Sequence, residues 1–490
     1  MRDTKLIKLI RTFSKDELKT FEKFIKSPFF RPARNISMLY DYIIKFYPDY
    51  DSIKLEKRVV FKKLFSAEGF NEKKISNLIY DLTKAAEDFL AHNTLKDDRI
   101  EYLLNLSKGY LVKNLPNESF SIDKIIEKKL QPGFSPGKDY ISKLRRLTYL
   151  KSFYYTENND FKNIIECKKN YFEASAVQFI VDYIEIVSSQ KTAKNTYGKN
   201  LENYFIDSIV KSFNIEKLLK LLEKSDYTNK FLIALHYFRL KTNQEPENLS
   251  YYFLLRDLFY DNLSNFDREE KYFIFNHLVN YCVQKIGKNF EDFKKEGLEV
   301  YKKMLENNAF SFSKSEHMQA MTYRNIVQFC YTVRETKWLE YFIEKYSGFL
   351  NPEQREDLRH LSYAYLYFTK NEFEKALIMI SKINHEFFIF KADLKNLTLK
   401  IYYELSYFEQ AFSMVYSYKN FLKKNNELTK PFKEIYKNFL TYYFDLLKIK
   451  SQQSKEKPTF IKNKIEKEDK VLSKRWLLEK ADQLIKVNRK

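Results

Sequence analysis

Eight glycines and ten prolines are spread over 490 residues. Gly and Pro supply the tight turns that sheets and barrels need at many places. A chain so poor in both is left with long stretches in which apolar residues recur at helical spacing. The expected fold class is therefore all-α. At this length one core stops growing, so several units or a repeat array are expected. Hydrophobic residues make up 44% of the chain, enough for packed interiors.

Residues 1–95 read as a small N-terminal helical domain. Ser14-Lys-Asp-Glu17 is a capping box. The helix it opens carries Leu18, Phe21, Phe24 and Ile25 on one face and Lys15, Lys19, Lys23 and Lys26 on another, and Pro28 and Pro32 stop it. Further helices are expected near 36–47 and 55–65. Asn71 caps a longer one bearing Ile75, Leu78, Ile79, Leu82, Ala86 and Phe89. Residues 96–137 read as a helical connector that ends in the chain's one cluster of Pro and Gly, Gln131–Gly137. Residues 138–447 form a body of helices with polar joints near Asn158-Asn159, 195–200, 243–246 and Asn307-Asn308. Residues 448–490 comprise a polar linker, 448–457, and a C-terminal amphipathic helix with Trp476, Leu477, Ala481, Leu484 and Ile485. An end repeat exposes an apolar face, so this helix is predicted to fold back onto the last hairpins. The competing expectation leaves it undocked for a membrane surface or an acidic partner.

A period emerges between about 321 and 425. Trp338, Phe373 and Phe408 are each 35 residues apart, as are Tyr341, Ala376 and Ala411, and Tyr367 and Tyr402. Such self-similarity marks stacked helical hairpins, and six antiparallel helices are expected there. The pattern resembles the tetratricopeptide repeat family. Its small residue, Tyr, Ala and large apolar residue fall on Ala364, Tyr367, Ala376 and Ile380, and in the next unit Tyr402, Ala411 and Val415 match. Leu399 replaces the second unit's small residue, and the family's Trp, Leu and closing Pro are His360, Tyr363 and Phe388 here. The resemblance covers about two and a half repeats. It implies an α-α superhelix, a helical-hairpin solenoid. It also implies a partner-binding inner surface lined by Tyr365, Phe368, Thr369, Lys400 and Tyr403, with those aromatics less buried than Tyr367 and with Lys400 facing a partner carboxylate.

The net charge is +21, which suits an anionic partner. Lys-dominated charge (69 Lys, 17 Arg) accompanied by abundant Asn, Ile, Phe and Tyr is equally what AT-rich codons produce, and Arg is the better residue for bidentate phosphate contact. Positive charge is densest at the ends: 19 Lys/Arg against 13 Asp/Glu in 1–95, and 14 against 6 from 448 onward. The Lys15, Lys19, Lys23 and Lys26 stripe, continued by Arg31 and Arg34, is either a solvated helix face or a site for an anionic partner. Val59–Phe65, the turn at Gly69 and the helix from Asn71 have helix-turn-helix length. They would face Lys73, Lys74, Ser76, Asn77 and Tyr80 outward, although Asp81, Glu87 and Asp88 follow on the same helix.

Residues 133–139 have the wrong spacing, and an Asp after the Lys, for a phosphate-binding loop. The six histidines make no HxxxH or HExxH pair, and Cys167, Cys282 and Cys330 lie far apart. No metal, cofactor or catalytic residue is proposed from the sequence. The N-terminus lacks a signal-peptide core and no run of 18 apolar residues occurs, so a cytoplasmic, basic, soluble protein is expected. The expected function is a non-catalytic scaffold binding a peptide or protein partner on a solenoid surface. The alternative is a nucleic-acid-binding or regulatory protein that uses the basic N-terminal domain.

Overall fold

The computed structural model describes residues 1–29, 35–130, 138–197, 203–212, 214–224, 230–287, 290–312, 317–383, 388–424, 430–454 and 456–487. Helices account for 82% of the described residues, and no strand occurs among them. The chain divides into two compact units, Met1–Gln178 without Ser135–Gly137, and Phe179–Lys490 with those three residues.

The N-terminal unit holds α1 (Lys5–Arg11), α2 (Lys15–Lys26), α3 (Ser37–Ile43), α4 (Lys57–Leu64), α5 (Glu72–Asp97), α6 (Arg99–Val112), α7 (Pro116–Lys129) and α8 (Lys138–Glu157), and α9 (Phe161–Tyr197) runs across its end. The capping box is present: Ser14 Oγ accepts from the Glu17 amide at 3.2 Å, and Glu17 accepts from the Ser14 amide at 2.7 Å. Asn71 accepts from the Lys74 amide at 2.9 Å. The apolar faces so aligned meet in one cluster running from Leu6 to Phe89, with the rings of Phe13, Phe21 and Phe89 at its centre. A separate cluster joins α6, α7 and α8 through Ile100, Leu104, Ile126 and Leu147. Apolar packing therefore runs on past the Pro/Gly segment at 131–137, which lies outside the described residues.

The second unit continues with α10 (Tyr204–Ser212), α11 (Ile215–Glu223), α12 (Lys230–Gln244), α13 (Leu249–Asp261), α14 (Arg268–Ile286) and α15 (Asp292–Glu306). It ends with α16 (Ala320–Val333), α17 (Thr336–Tyr346), α18 (Pro352–Thr369), α19 (Phe373–Ser381), α20 (Phe388–Leu405), α21 (Phe408–Lys424), α22 (Lys430–Lys450), α23 (Pro458–Lys467) and α24 (Lys474–Val487). Successive helices pack as pairs, an arrangement compatible with an α-solenoid. Gly297 on α15 sits where a Cβ would lie 2.3 Å from Phe329 Cε1 on α16, so only a glycine allows that close crossing.

The turns between helices explain how a chain with so little glycine folds into hairpins. Among the described residues, seven helices end on a left-handed residue that is not Gly: Asn114, Asn159, Asn308, Arg334, Asn371, Ser406 and Gln452. At each, the next amide reaches back to the carbonyl five residues earlier, as in Glu372 N to Tyr367 O at 2.8 Å and Leu115 N to Tyr110 O at 3.0 Å. The left-handed residue's own amide bonds to the carbonyl three before it, as in Asn371 N to Phe368 O at 3.1 Å. This is the Schellman closure, normally made with Gly at that position. Asn takes it most often here because its short polar side chain tolerates the left-handed region.

Six helices, α16 to α21, fill the repeat segment, and Ala376 and Ala411 are fully buried. The 35-residue register holds only for the last two hairpins. Their left-handed turn residues, Asn371 and Ser406, are 35 apart, but Arg334 precedes Asn371 by 37. Trp338 therefore lies in the third position of α17, not the first position taken by Phe373 and Phe408. The counterpart of Ala376 is buried Leu339, and Tyr341 is 49% exposed.

Candidate functional site

The first helices of the C-terminal hairpins, α16, α18, α20 and α22, stack on one another in order. α16 packs on α18 and α18 on α20, and Tyr443 of α22 donates to the Leu399 carbonyl of α20 at 2.6 Å. Contacts also skip a hairpin. Arg324 on α16 grips Asp393 on α20 with two hydrogen bonds, Nε to Oδ2 at 2.5 Å and Nη2 to Oδ1 at 2.7 Å. About two turns further along, Lys400 Nζ donates to Tyr331 Oη at 3.2 Å. Both links join residues 69 apart, so the winding is tight enough for α16 and α20 to touch.

That winding decides the fate of the expected groove. Tyr365 is 4%, Phe368 7% and Tyr403 2% exposed, whereas Tyr367 is half-buried. The expectation that the first three would be the more open is overturned, because α16 closes over Tyr365 and Phe368 while α22 and α24 close over Tyr403. Tyr331 packs edge-on or tilted against Tyr365 and Phe368 at 5.1 and 5.9 Å between ring centroids. Thr369 is half-buried and donates to the Tyr365 carbonyl at 2.8 Å. Lys400 is 4% exposed and so does not stand ready for a solvent-borne carboxylate. Burial lowers its pKa from 10.5 to about 7, with Asp393 pulling the other way. Burial also pulls Arg324 down, but the hydrogen bonds and charge of Asp393 hold its guanidinium above its ordinary value. Burial pushes the Tyr365 hydroxyl well up.

Over this face lies α24. Trp476, 8% exposed, stacks near Tyr443 and meets Tyr403 edge-on at 5.3 Å, and its Nε1 donates to Glu404 of α20 at 3.2 Å. Lys480, one turn on, reaches the same carboxylate at 2.6 Å. Glu479 takes the guanidinium of Arg334, the left-handed residue that ends α16, at 2.9 Å. The Lys400 ammonium lies 5.9 Å from the centre of the Trp476 ring. The C-terminal helix is thus docked, and it spans α16, α20 and α22 as well as its neighbour α23.

Sequence reasoning named Lys400 and Tyr403 but missed Arg324, Asp393 and Glu404. A signal existed. Asp393, Asn396 and Lys400 recur at helical spacing in the apolar helix α20, and all three are buried. A polar stripe on an apolar helix points to a buried network rather than a wet face.

The basic candidates of the N-terminal unit sit elsewhere. Lys15, Lys19, Lys23 and Lys26 are exposed on α2. Lys19 pairs with Asp16 at 3.6 Å, and Lys26 with Glu22 at 2.5 Å and Asp41 at 3.8 Å. Lys15 lies 6.0 Å from the Tyr47 ring, and Lys23 has no carboxylate partner among the described residues. Arg31 and Arg34 lie outside the described residues. At the head of α5, Lys73 and Tyr80 are exposed, but Lys74 is held by Glu68 at 2.7 Å and Ser76 by Lys57 at 3.2 Å.

Cys167, Cys282 and Cys330 are buried and unpaired as thiols. Among the described residues no group of His, Cys, Asp and Glu is placed to hold a metal, and no helix is long and apolar enough to cross a membrane. No protein family, curated protein or solved structure matches the chain.

Proposed function

We propose that the chain is a non-catalytic, tetratricopeptide-like scaffold that binds an amphipathic helix of a protein partner on the inner face of its C-terminal hairpins. The observation that carries this reading is the seating of α24. That surface already accommodates a helix through an aromatic anchor and complementary charges, with Trp476 and Lys480 on Glu404 and Glu479 on Arg334. Aromatic anchors in desolvated pockets, rimmed by charge pairs, are how helix-in-groove interfaces gain affinity and register.

The nucleic-acid alternative has less support. Two of the four lysines on α2 are engaged by the chain's own carboxylates, and phosphate contact would require displacing them. Paired pull-downs separate the two. Protein captured by the wild type after nuclease treatment, and lost by the Glu404→Lys variant, is the expected result. Retention that vanishes with nuclease and falls steeply with salt would place the activity in the N-terminal unit instead.

A further inference from the structure

We infer that α24 is an internal occupant of the inner face, held there until it is displaced by a partner helix carrying an aromatic residue followed by a carboxylate three positions on and a lysine four positions on. This rests on the reading of that face as a helix-binding surface, and it adds the identity code of the partner and the means of its regulation.

Three observations lead there. The first is position. A helix that merely closes a solenoid covers the last hairpin, but α24 reaches Glu404 of α20, 72 residues back, and Arg334 at the end of α16, 145 residues back. The second is chemistry. The seam is coded by polar atoms: an indole N–H and an ammonium converge on the single carboxylate of Glu404, and a second, oppositely signed pair joins Glu479 to Arg334. An apolar cap would need no such code, whereas a surface that must choose among helices does. The third is the grip. Of the apolar side chains of α24, Trp476, Leu477 and Ala481 are buried, Leu478, Leu484 and Ile485 are only half-buried, and Val487 is exposed. The Arg334–Glu479 pair is solvent-exposed, with relative side-chain exposures of 61% and 35%, a type of contact that contributes little and exchanges easily. The Lys480–Glu404 pair is nearly buried, at 9% and 15%, but no residue of α24 from Asp482 to Val487 is buried, so the helix is placed with specificity by its first half and held loosely along its second.

The contacts of α24 with α23 belong to the internal arrangement alone. Asp482 pairs with Lys462 on α23 at 2.8 Å, away from the surface on α16, α20 and α22. That separates loosening the internal helix from damaging the surface.

The test uses the full chain and a fluorescein-labelled synthetic peptide of residues 470–490. Asp482→Lys should raise the affinity for the peptide about two- to fivefold over wild type, the scale of one exposed ion pair. Trp476→Ala in the protein should raise it at least about tenfold, the scale of losing an aromatic anchor. The peptide bearing Trp476→Ala should lose binding to every form. Circular dichroism and hydrogen exchange of the α20 and α22 amides report whether the hairpins stay folded, and Asp482→Lys serves where Trp476→Ala does not. Equal affinity for wild type and both variants would overturn the gating while leaving the helix-binding surface standing. No binding to a folded variant whose α24 amides exchange freely would overturn both. A wild-type dimer that Trp476→Ala dissolves would make a second copy the occupant and overturn the partner named here.

Discussion

The core around Phe21 and the core around Asp393 are both closed to solvent, yet they are built from opposite materials. The first is apolar but for its tyrosines: Tyr40 donates its hydroxyl to the Leu18 carbonyl at 2.7 Å, and the buried Tyr50 hydroxyl has no partner among the described residues. The second sets an ion pair, a lysine, an asparagine and several tyrosines among its aliphatic residues. Burial of apolar area is non-directional and tolerates small shifts. A buried bidentate pair does not, because a one-residue slip of α20 against α16 would leave both charges unmatched. The N-terminal core supplies cohesion. The C-terminal core also fixes which turn of one helix faces which turn of another.

That contrast can be broken or sharpened by substitution. Asp393→Ala strands the Arg324 guanidinium in the interior and should destabilise the C-terminal unit by about 3–5 kcal/mol in denaturant unfolding. The double change Arg324→Met, Asp393→Leu should recover most of that loss, and failure to recover would mean that the pair is cohesive rather than register-setting. Phe21→Ala should cost about 3–4 kcal/mol through the cavity it leaves, read in the transition of the N-terminal unit, with no polar partner whose removal compensates.

Lys400→Met should stabilise the C-terminal unit by about 1–4 kcal/mol near neutral pH, since it removes a buried base that must be either charged or neutralised. Lys400 has a folded pKa of about 7, lowered by burial from 10.5, so on acidification the unfolded chain takes up this proton first. The stability owed to neutral Lys400 is complete above about pH 10.5, falls as pH drops towards about 7, and changes no further below that. The wild-type minus Lys400→Met difference should follow that curve, and a flat difference would show that Lys400 is not buried. The smallest effect is expected at a turn. Ser406 is exposed and left-handed, and Ser406→Gly should raise stability by about 0.5–1 kcal/mol, measured as a small upward shift in Tm.

The helices of the N-terminal domain were legible in the sequence because their caps and periodicity are local. Ser14, Glu17 and Asn71 act on residues three positions away, and Leu18, Phe21 and Ile25 declare one face. The hairpins were legible where Ala376 and Ala411 mark crossings, but the unit before them was read two residues out of step. A period taken from Trp338 and Tyr341 could not register that α17 runs for 11 residues where α19 has 9. The inner face was misjudged for a different reason. Whether Tyr365 and Lys400 meet solvent depends on how tightly the hairpins wind, which is set by contacts such as Arg324–Asp393 between residues 69 apart. No window of local sequence contains both ends of such a contact. The docking of α24 was expected from its unspent apolar stripe, but its charge partners Glu404 and Arg334 were not, for the same reason.

The contacts that skip a hairpin have a mechanical consequence. Stacked repeats ordinarily behave as a one-dimensional row in which each unit answers only to its neighbours, so the end units peel first and the rest follow one by one. Here Arg324 to Asp393, Lys400 to Tyr331 and Trp476 to Glu404 act as stays across that row. A force that pulled α16 and α22 apart would load the stays before it opened any single hairpin. The segment from α16 to α24 would then yield in one step, as a strut does, and not extend gradually like a spring.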